Sequence, residues 1–326
     1  MKDYRLYFFP ISWIFFIIIA FYLFILNWII SFIFLGILLI NIKVTIKTYL
    51  HYLWWQYETW IDTTVVNIQK VKVPTTLEGK YLNGVVIRSK DSNPNEKHIG
   101  ILFHHGFTGM KERNYVWSIP LAMNGFTVLA IDARGHGESI DKEFKKIDIL
   151  GILSDVKNEI DYLEKLEDVD PNRLIMMGHS MGCIATLTSG YQDKRLKKIV
   201  GISGFYDILE SFKKHHRILY RLIKKIGPKK LGMPIEEWNK LVSSRYYFEK
   251  GHPISDKERV YLVHSKQDGL VAFEDSAKIK EVLNLPDENV LFLEKPKRKY
   301  LMSAHRLIGQ STIVSNFLVK IAKSIE

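Results

Sequence analysis

The chain has 326 residues, 47% of them hydrophobic, and its 46 Lys and Arg against 35 Asp and Glu give a formal net charge of +11. This length and apolar content suffice for one large or two ordinary packed domains and exclude a disordered tail. Cys183 is the only cysteine, which excludes an internal disulfide and a cysteine-based metal site; it reads as a small packed residue.

From Leu6 to Ile42 no side chain is charged, and Ile, Phe, Leu and Trp fill the run. A bilayer core needs about 20 such residues as helix, and the run is too long for a signal peptide and lacks its small-residue cleavage site. Residues 1–42 are therefore expected to be a retained transmembrane anchor. One strongly tilted helix would accommodate the run; the alternative is a tight hairpin turning near Asn27, although no Gly or Pro marks that turn. Lys2 and Arg5 before the run match Lys43 and Lys47 after it, so flanking charge does not orient the chain. Over residues 43–64, Ile46, Leu50, Leu53, Trp54, Tyr57 and Ile61 recur at helical spacing with Trp55 and Trp60 nearby. This juxtamembrane stripe suits a headgroup layer or a packed helix equally.

After Thr63 short β-branched runs alternate with helical stretches. Strands are expected at Val65–Val73, Tyr81–Arg88, His98–His104, Phe126–Asp132, Leu174–Met177, Lys198–Ser203, Val260–His264 and Val290–Leu293. Helices are expected at Arg113–Asn124, Ile149–Glu167, Met181–Tyr191, Glu274–Leu283 and Ile308–Ser324. This order predicts an α/β domain over residues 65–326, a mostly parallel sheet with helices on both faces.

Within it, Gly178-His179-Ser180-Met181-Gly182 joins the apolar run Leu174–Met177 to a helix start. A Gly-x-Ser-x-Gly match arises by chance in about one chain in ten of this length, so the pentapeptide alone says little. Strand, sharp turn and helix together say more, because such an elbow strains the serine backbone and projects its hydroxyl outward.

With "HHGFTG" at His104–Gly109, "DARGHGES" at Asp132–Ser139 and "DVDPNRL" before the elbow strand, residues 65–326 resemble the α/β-hydrolase family. The texture is most similar to the esterase, monoacylglycerol-lipase and serine-aminopeptidase branches, and the anchored layout resembles Bem46-like hydrolases. Cys183 stands where many relatives have a further glycine. The resemblance implies Ser180 as nucleophile, followed in the chain by an acid and then a histidine base. Asp268, in "VHSKQDGLV" after the strand Val260–His264, fits the acid, with Asp207 in reserve. His305 is the only histidine after Asp268 and fits the base. His252 and His264 precede the acid and would need an unusual order; His136 reads as bracing its loop, and His104 and His105 as positioning the first turn. The resemblance also implies an oxyanion hole made by the backbone N–H groups of Phe107 and Met181. No metal or cofactor is expected.

Residues 205–257 lie where this family grows a helical cap. Lys213–Lys250 carries eleven Lys or Arg against three Glu, a net of +8, beside an apolar stripe of Ile218, Leu219, Leu222, Ile223 and Ile226, with Gly227-Pro228 expected to end that helix. A basic amphipathic helix suits a membrane surface or a solvated lid over the pocket. Charge alone would also admit nucleic acid, but no reading module accompanies it. The expected function is a membrane-anchored serine hydrolase cleaving lipid-like or medium acyl esters; peptide or amide cleavage on the same triad, and a non-catalytic scaffold on a hydrolase fold, are the alternatives.

Overall fold

In the computed structural model the chain divides into two units, Met1–Glu58 and Thr59–Glu326. The structure describes residues 13–19, 21–22, 28–55, 61–93, 95–144, 148–294, 304–307 and 310–325; Lys2, Arg5, the turn considered near Asn27, Tyr57 and Trp60 lie outside them.

In the first unit helix α1 (Trp28–Trp55) runs unbroken past Ile42, so the expected division between anchor and juxtamembrane helix is not a structural boundary. Its stretch Trp28–Ile46, 19 residues of mean hydropathy 2.4, is long and apolar enough to cross a bilayer, the one such helix among the described residues. Residues 13–19 are also helical. Trp13 Nε1–H donates to Asn41 Oδ1 at 2.9 Å, and the rings of Phe16 and Phe34 lie 6.3 Å apart. These pairs converge along the chain, so the two helical stretches lie antiparallel. Two stretches side by side are what the hairpin alternative expects; its turn lies outside the described residues. Among apolar side chains an indole N–H and an amide oxygen have few other partners, and pairing them across two helices satisfies both.

The second unit is built on one eight-stranded sheet: β1 (Val66–Pro74), β2 (Tyr81–Ser89), β3 (His98–His104), β4 (Thr127–Ile131), β5 (Val169–His179), β6 (Leu196–Ile202), β7 (Val260–Ser265) and β8 (Val290–Leu293). The spatial order is β1-β2-β4-β3-β5-β6-β7-β8. β2 runs antiparallel to both β1 and β4, while β4 through β8 are parallel. Period-two alternation divides the core between the faces. Leu102, Leu129, Met176, Ile199 and Leu262 pack on one face with α3 (Ile149–Glu164) and α4 (Met181–Ala185), and Ile101, Val128, Ile175, Val200 and Val263 on the other with α2 (Tyr115–Met123) and α9 (Ser311–Lys323).

Most strands fall within a residue or two of expectation, but β5 starts at Val169 rather than Leu174 and so takes in Asp170-Pro171-Asn172. The pairing with β3 shifts register between Ile99 and Gly100. That irregularity is where a residue lacking an N–H can sit in a sheet.

Between β6 and β7 the chain forms α5 (Ile208–His215), α6 (Arg217–Leu231), α7 (Ile235–Val242) and two single-turn helices; α8 (Phe273–Val282) follows β7. α6 does not stop at Gly227-Pro228. It continues to Leu231 and ends at Gly232, whose φ of 73° closes the helix with an N–H to the Pro228 carbonyl. Because α6 buries none of its residues, the carbonyl that Pro228 leaves without a partner is open to water, and the proline costs less than in a packed helix.

The loop after β4 is fixed by two buried charges. Lys111 donates through Nζ to Asp132 Oδ2 at 2.7 Å, and its backbone N–H donates to Asp132 Oδ1 at 2.6 Å. Arg134 donates from Nε and Nη2 to the two oxygens of Asp155 on α3, at 2.5 and 2.7 Å. Arg134→Ala would leave Asp155, which has no solvent exposure, with only the neutral donors of Thr76, and should destabilise the protein by about 3–5 kcal/mol. A denaturant midpoint unchanged from the parent would refute this account of the loop.

Candidate active site

Ser180 sits between the end of β5 and the first residue of α4, with φ 55° and ψ −111°. A non-glycine residue there is strained, so its surroundings must hold it. Ser180 N–H donates to Ile202 O at 2.8 Å, and Cys183 N–H returns to Ser180 O at 2.9 Å. The crossing itself demands glycine: a Cβ on Gly182 would come within 2.5 Å of His104 O, and one on Gly178 within 2.2 Å of Gly182 O. Cys183 is fully buried, and burial pushes its thiol far up from the usual range.

The loop after β7 carries Asp268, and His305 lies between β8 and α9. The structure brings them together: His305 Nδ1–H donates to Asp268 Oδ2 at 2.8 Å. The other oxygen, Oδ1, accepts from the N–H groups of Leu270 at 2.8 Å and Val271 at 3.0 Å. Burial alone would raise this carboxyl. The attraction of His305 and the hydrogen bonds from His264 and His305 outweigh it and hold Asp268 well below the usual carboxylate range. With Nδ1 committed as a donor, His305 keeps a lone pair on Nε2, as a general base requires.

His179 joins this pair to the elbow. Its ring lies 4.9 Å from that of His305, and its Nε2–H donates to the His305 carbonyl at 2.9 Å. Burial lowers its pKa to about 3, so it is neutral near pH 7.

The turn after β3 lies against Ser180: a Cβ on Gly106 would be 3.2 Å from Ser180 Cβ and 2.9 Å from His179 Nδ1. Phe107 follows, 42% exposed, its ring edge-on to His136 at 5.9 Å. Met181 opens α4, where the first N–H groups of a helix lack intrahelical partners. His105 sets the turn by donating from Nδ1 to Gly106 O at 2.7 Å and accepting at Nε2 from Ala133 N–H at 3.0 Å; burial lowers its pKa to about 3. His136 Nδ1–H donates to Arg134 O at 2.8 Å, and His104 Nε2 pairs with the buried Glu159 at 2.5 Å.

Asp207, the reserve acid, caps α5. It accepts from Glu210 N–H at 3.1 Å and Asn239 Nδ2–H at 2.9 Å. The sequence sets His264 aside as a base and gives it no other role, but the structure places it on the acid. Its Nε2–H is shared between Asp268 Oδ2 and Val271 O, both at 3.2 Å, while Nδ1 accepts from Ser276 Oγ–H at 2.7 Å. The one available signal was its spacing, four residues before Asp268 at the end of a buried strand. Among the described residues no cluster of His, Cys, Asp and Glu could hold a metal ion.

Residues 96–246 match the family model for serine aminopeptidases of the S33 type. An uncharacterised protein of Salmonella typhi, YfhR, is 23% identical over 227 residues, 66% of this chain and 70% of that protein. The putative esterase YitV of Bacillus subtilis is 32% identical over 120 residues, 34% of this chain and 47% of that protein. Among solved structures, the acylaminoacyl peptidase of Pyrococcus horikoshii superposes with a TM-score of 0.59 at 18% identity over 82% of this chain, which spans 43% of that one. An esterase of Pyrococcus furiosus gives 0.50 at 19% identity over 80% of this chain and 96% of its own. The elbow, the sheet order and these superpositions together show the α/β-hydrolase fold, and the serine aminopeptidase model matches the part of it from residue 96 to residue 246.

Proposed function

We propose that the protein is a membrane-anchored serine hydrolase that cleaves acyl esters through an acyl-enzyme intermediate, with Ser180, His305 and Asp268 as its triad. The observation that carries this reading is the strained Ser180 beside a buried His305–Asp268 pair. The Ser180 hydroxyl adds to the ester carbonyl as its proton passes to His305 Nε2. The oxyanion accepts the N–H groups of Phe107 and Met181, donors that are strongest where water is excluded. Collapse breaks the ester bond, and His305 returns the proton to the departing alcohol. Water, deprotonated by His305, then cleaves the acyl-serine. Asp268 stays ionised and holds the imidazole in the Nδ1–H form.

Ester and amide bonds yield to the same geometry, and relatives named for each are similar to this chain. An apolar Phe107 at the mouth and the span-length helix α1 favour acyl chains of lipid character. A scaffold that had lost catalysis would have little reason to keep an ionised carboxylate buried between two histidines.

Ser180→Ala should abolish fluorophosphonate labelling and lower ester turnover by about a million-fold, and Asp268→Asn by about ten-thousand-fold. Asp207→Asn should lower stability, by about 1 kcal/mol at most, without touching turnover. Activity retained in Ser180→Ala, or lost in Asp207→Asn alone, would show the assignment to be wrong. A panel of acyl esters and aminoacyl amides separates the two substrate readings.

His264 acts through Asp268. His264→Gln should lower kcat about tenfold with KM unchanged, and adding it to Asp268→Asn should lower kcat no further, because both changes loosen one carboxylate. Multiplying losses would make His264 a support of the strand rather than of the acid.

For the anchor, the full-length protein should stay with the membrane through an alkaline carbonate wash, because Trp28–Ile46 at about 1.5 Å per residue approaches the roughly 30 Å apolar core. Its release into the supernatant would remove this part of the reading.

A further inference from the structure

An amphipathic helix on a globular domain normally turns its apolar stripe inward. α6 does the reverse. None of its residues is buried, and Ile218, Leu222 and Ile226, spaced four apart, are 84%, 51% and 39% exposed. Leu219 widens the stripe at 42%. The same helix carries Arg217, Arg221, Lys224, Lys225, Lys229 and Lys230 and no acid, and Lys213 and Lys214 end α5 just before it. One of these cations, Lys224, is bridged to Glu236 at 3.1 Å in an exposed pair that binds weakly.

Beside the stripe lies a cleft of about 560 Å³ whose walls include Lys213, Lys214, Arg217 and Tyr220 together with Asp207 and Glu210. Asp207 Oδ1 accepts from the Glu210 and Asn239 N–H groups and its Oδ2 lies 3.8 Å from Arg245 Nη1, so Glu210 is the acid left to set against three cations. His216, which precedes α6, donates from Nε2 to Leu270 O at 2.8 Å, tying the start of the helix to the loop that carries Asp268.

We infer that α6 is a docking surface for an anionic lipid bilayer, with Ile218, Leu219, Leu222 and Ile226 entering the boundary of the acyl layer and the cleft taking an acidic headgroup. A narrow apolar stripe flanked by long cationic side chains matches that interface: the stems lie along apolar material while the charges stay among phosphates. A protein partner would need a groove that is apolar at its floor and acidic on its rims; the bilayer presents that pattern everywhere. The inference rests on the membrane reading above and extends it to the face by which the catalytic unit meets lipid.

The test uses the full chain with Ile218→Cys carrying a polarity-sensitive fluorophore. Cys183 is buried, so the label reports on position 218; Val282→Cys on α8, 44% exposed, is the control. The protein is mixed with vesicles of phosphatidylcholine alone or with added phosphatidylserine, and flotation is scored separately from emission. Emission at 218 should shift to the blue only with phosphatidylserine and revert as salt is raised, while 282 does not move. Replacing Arg221, Lys225, Lys229 and Lys230 with Glu should abolish the shift, since each basic residue near an anionic surface is worth about fivefold in partitioning. Flotation with both vesicle types but no shift at 218 overturns docking and leaves the anchor standing. Flotation with anionic vesicles alone, lost on charge reversal, supports docking and removes the anchor; flotation with neither overturns both. A shift equally present without vesicles means that the stripe is covered by the chain itself or by a second copy, and the inference fails.

Discussion

The strained backbone at Ser180 is the constraint on which the site depends. Holding φ at 55° on a residue with a Cβ is unfavourable in isolation, and the turn persists because everything around it is fixed. β5 enters from the centre of the sheet, α4 leaves across β3 with no room for a side chain on Gly182, and the Ser180 N–H is tied to β6. Those contacts place the hydroxyl at the carboxyl ends of the parallel strands, where the loops after β3 and β7 also arrive. In an open α/β sheet this end is where ligands bind, because the helix starts and strand ends meet there.

Charge burial follows the same geometry. Asp132, Asp155 and Asp268 are each removed from water, and each is answered by several donors: Lys111 for the first, Arg134 for the second, two histidines and two backbone N–H groups for the third. The first two hold the loop bearing His136 against Phe107; the third holds His305. Removing a single donor leaves a charge in a medium that cannot solvate it, so these loops move as units or not at all. Rigid loops on a rigid sheet keep reacting groups in register.

Much of this was legible in the sequence because it is local. Alternation gives the strands, and a glycine-flanked serine between strand and helix gives the elbow. Asp268 and His305 follow from chain order once the family resemblance is granted. What the sequence hides depends on contacts between distant residues. His264 reads as a base in the wrong chain order until the loop after β7 folds its carboxylate back onto it. Pro228 reads as a stop because the cost of a proline depends on whether the helix is packed, and α6 is not. The pairing of Trp13 with Asn41 spans 28 residues of nearly uniform apolar sequence, in which no composition marks a turn. Pro171 reads as a loop residue because the register shift that admits it, with residues 171–173 of β5 skipped between the Ile99 and Gly100 pairs, shows only in the pairing with β3.

The two free edges of the sheet carry a different consequence. β1, nine residues long, presents Lys70 and Lys72 to solvent and ends in Pro74, and β8 offers only four residues. An edge with unpaired amides would otherwise template another chain, and lysine, proline and brevity are the usual deterrents. On a protein confined to a surface, as proposed, neighbours collide far more often than in free solution. There the guarded edges keep crowding from becoming aggregation.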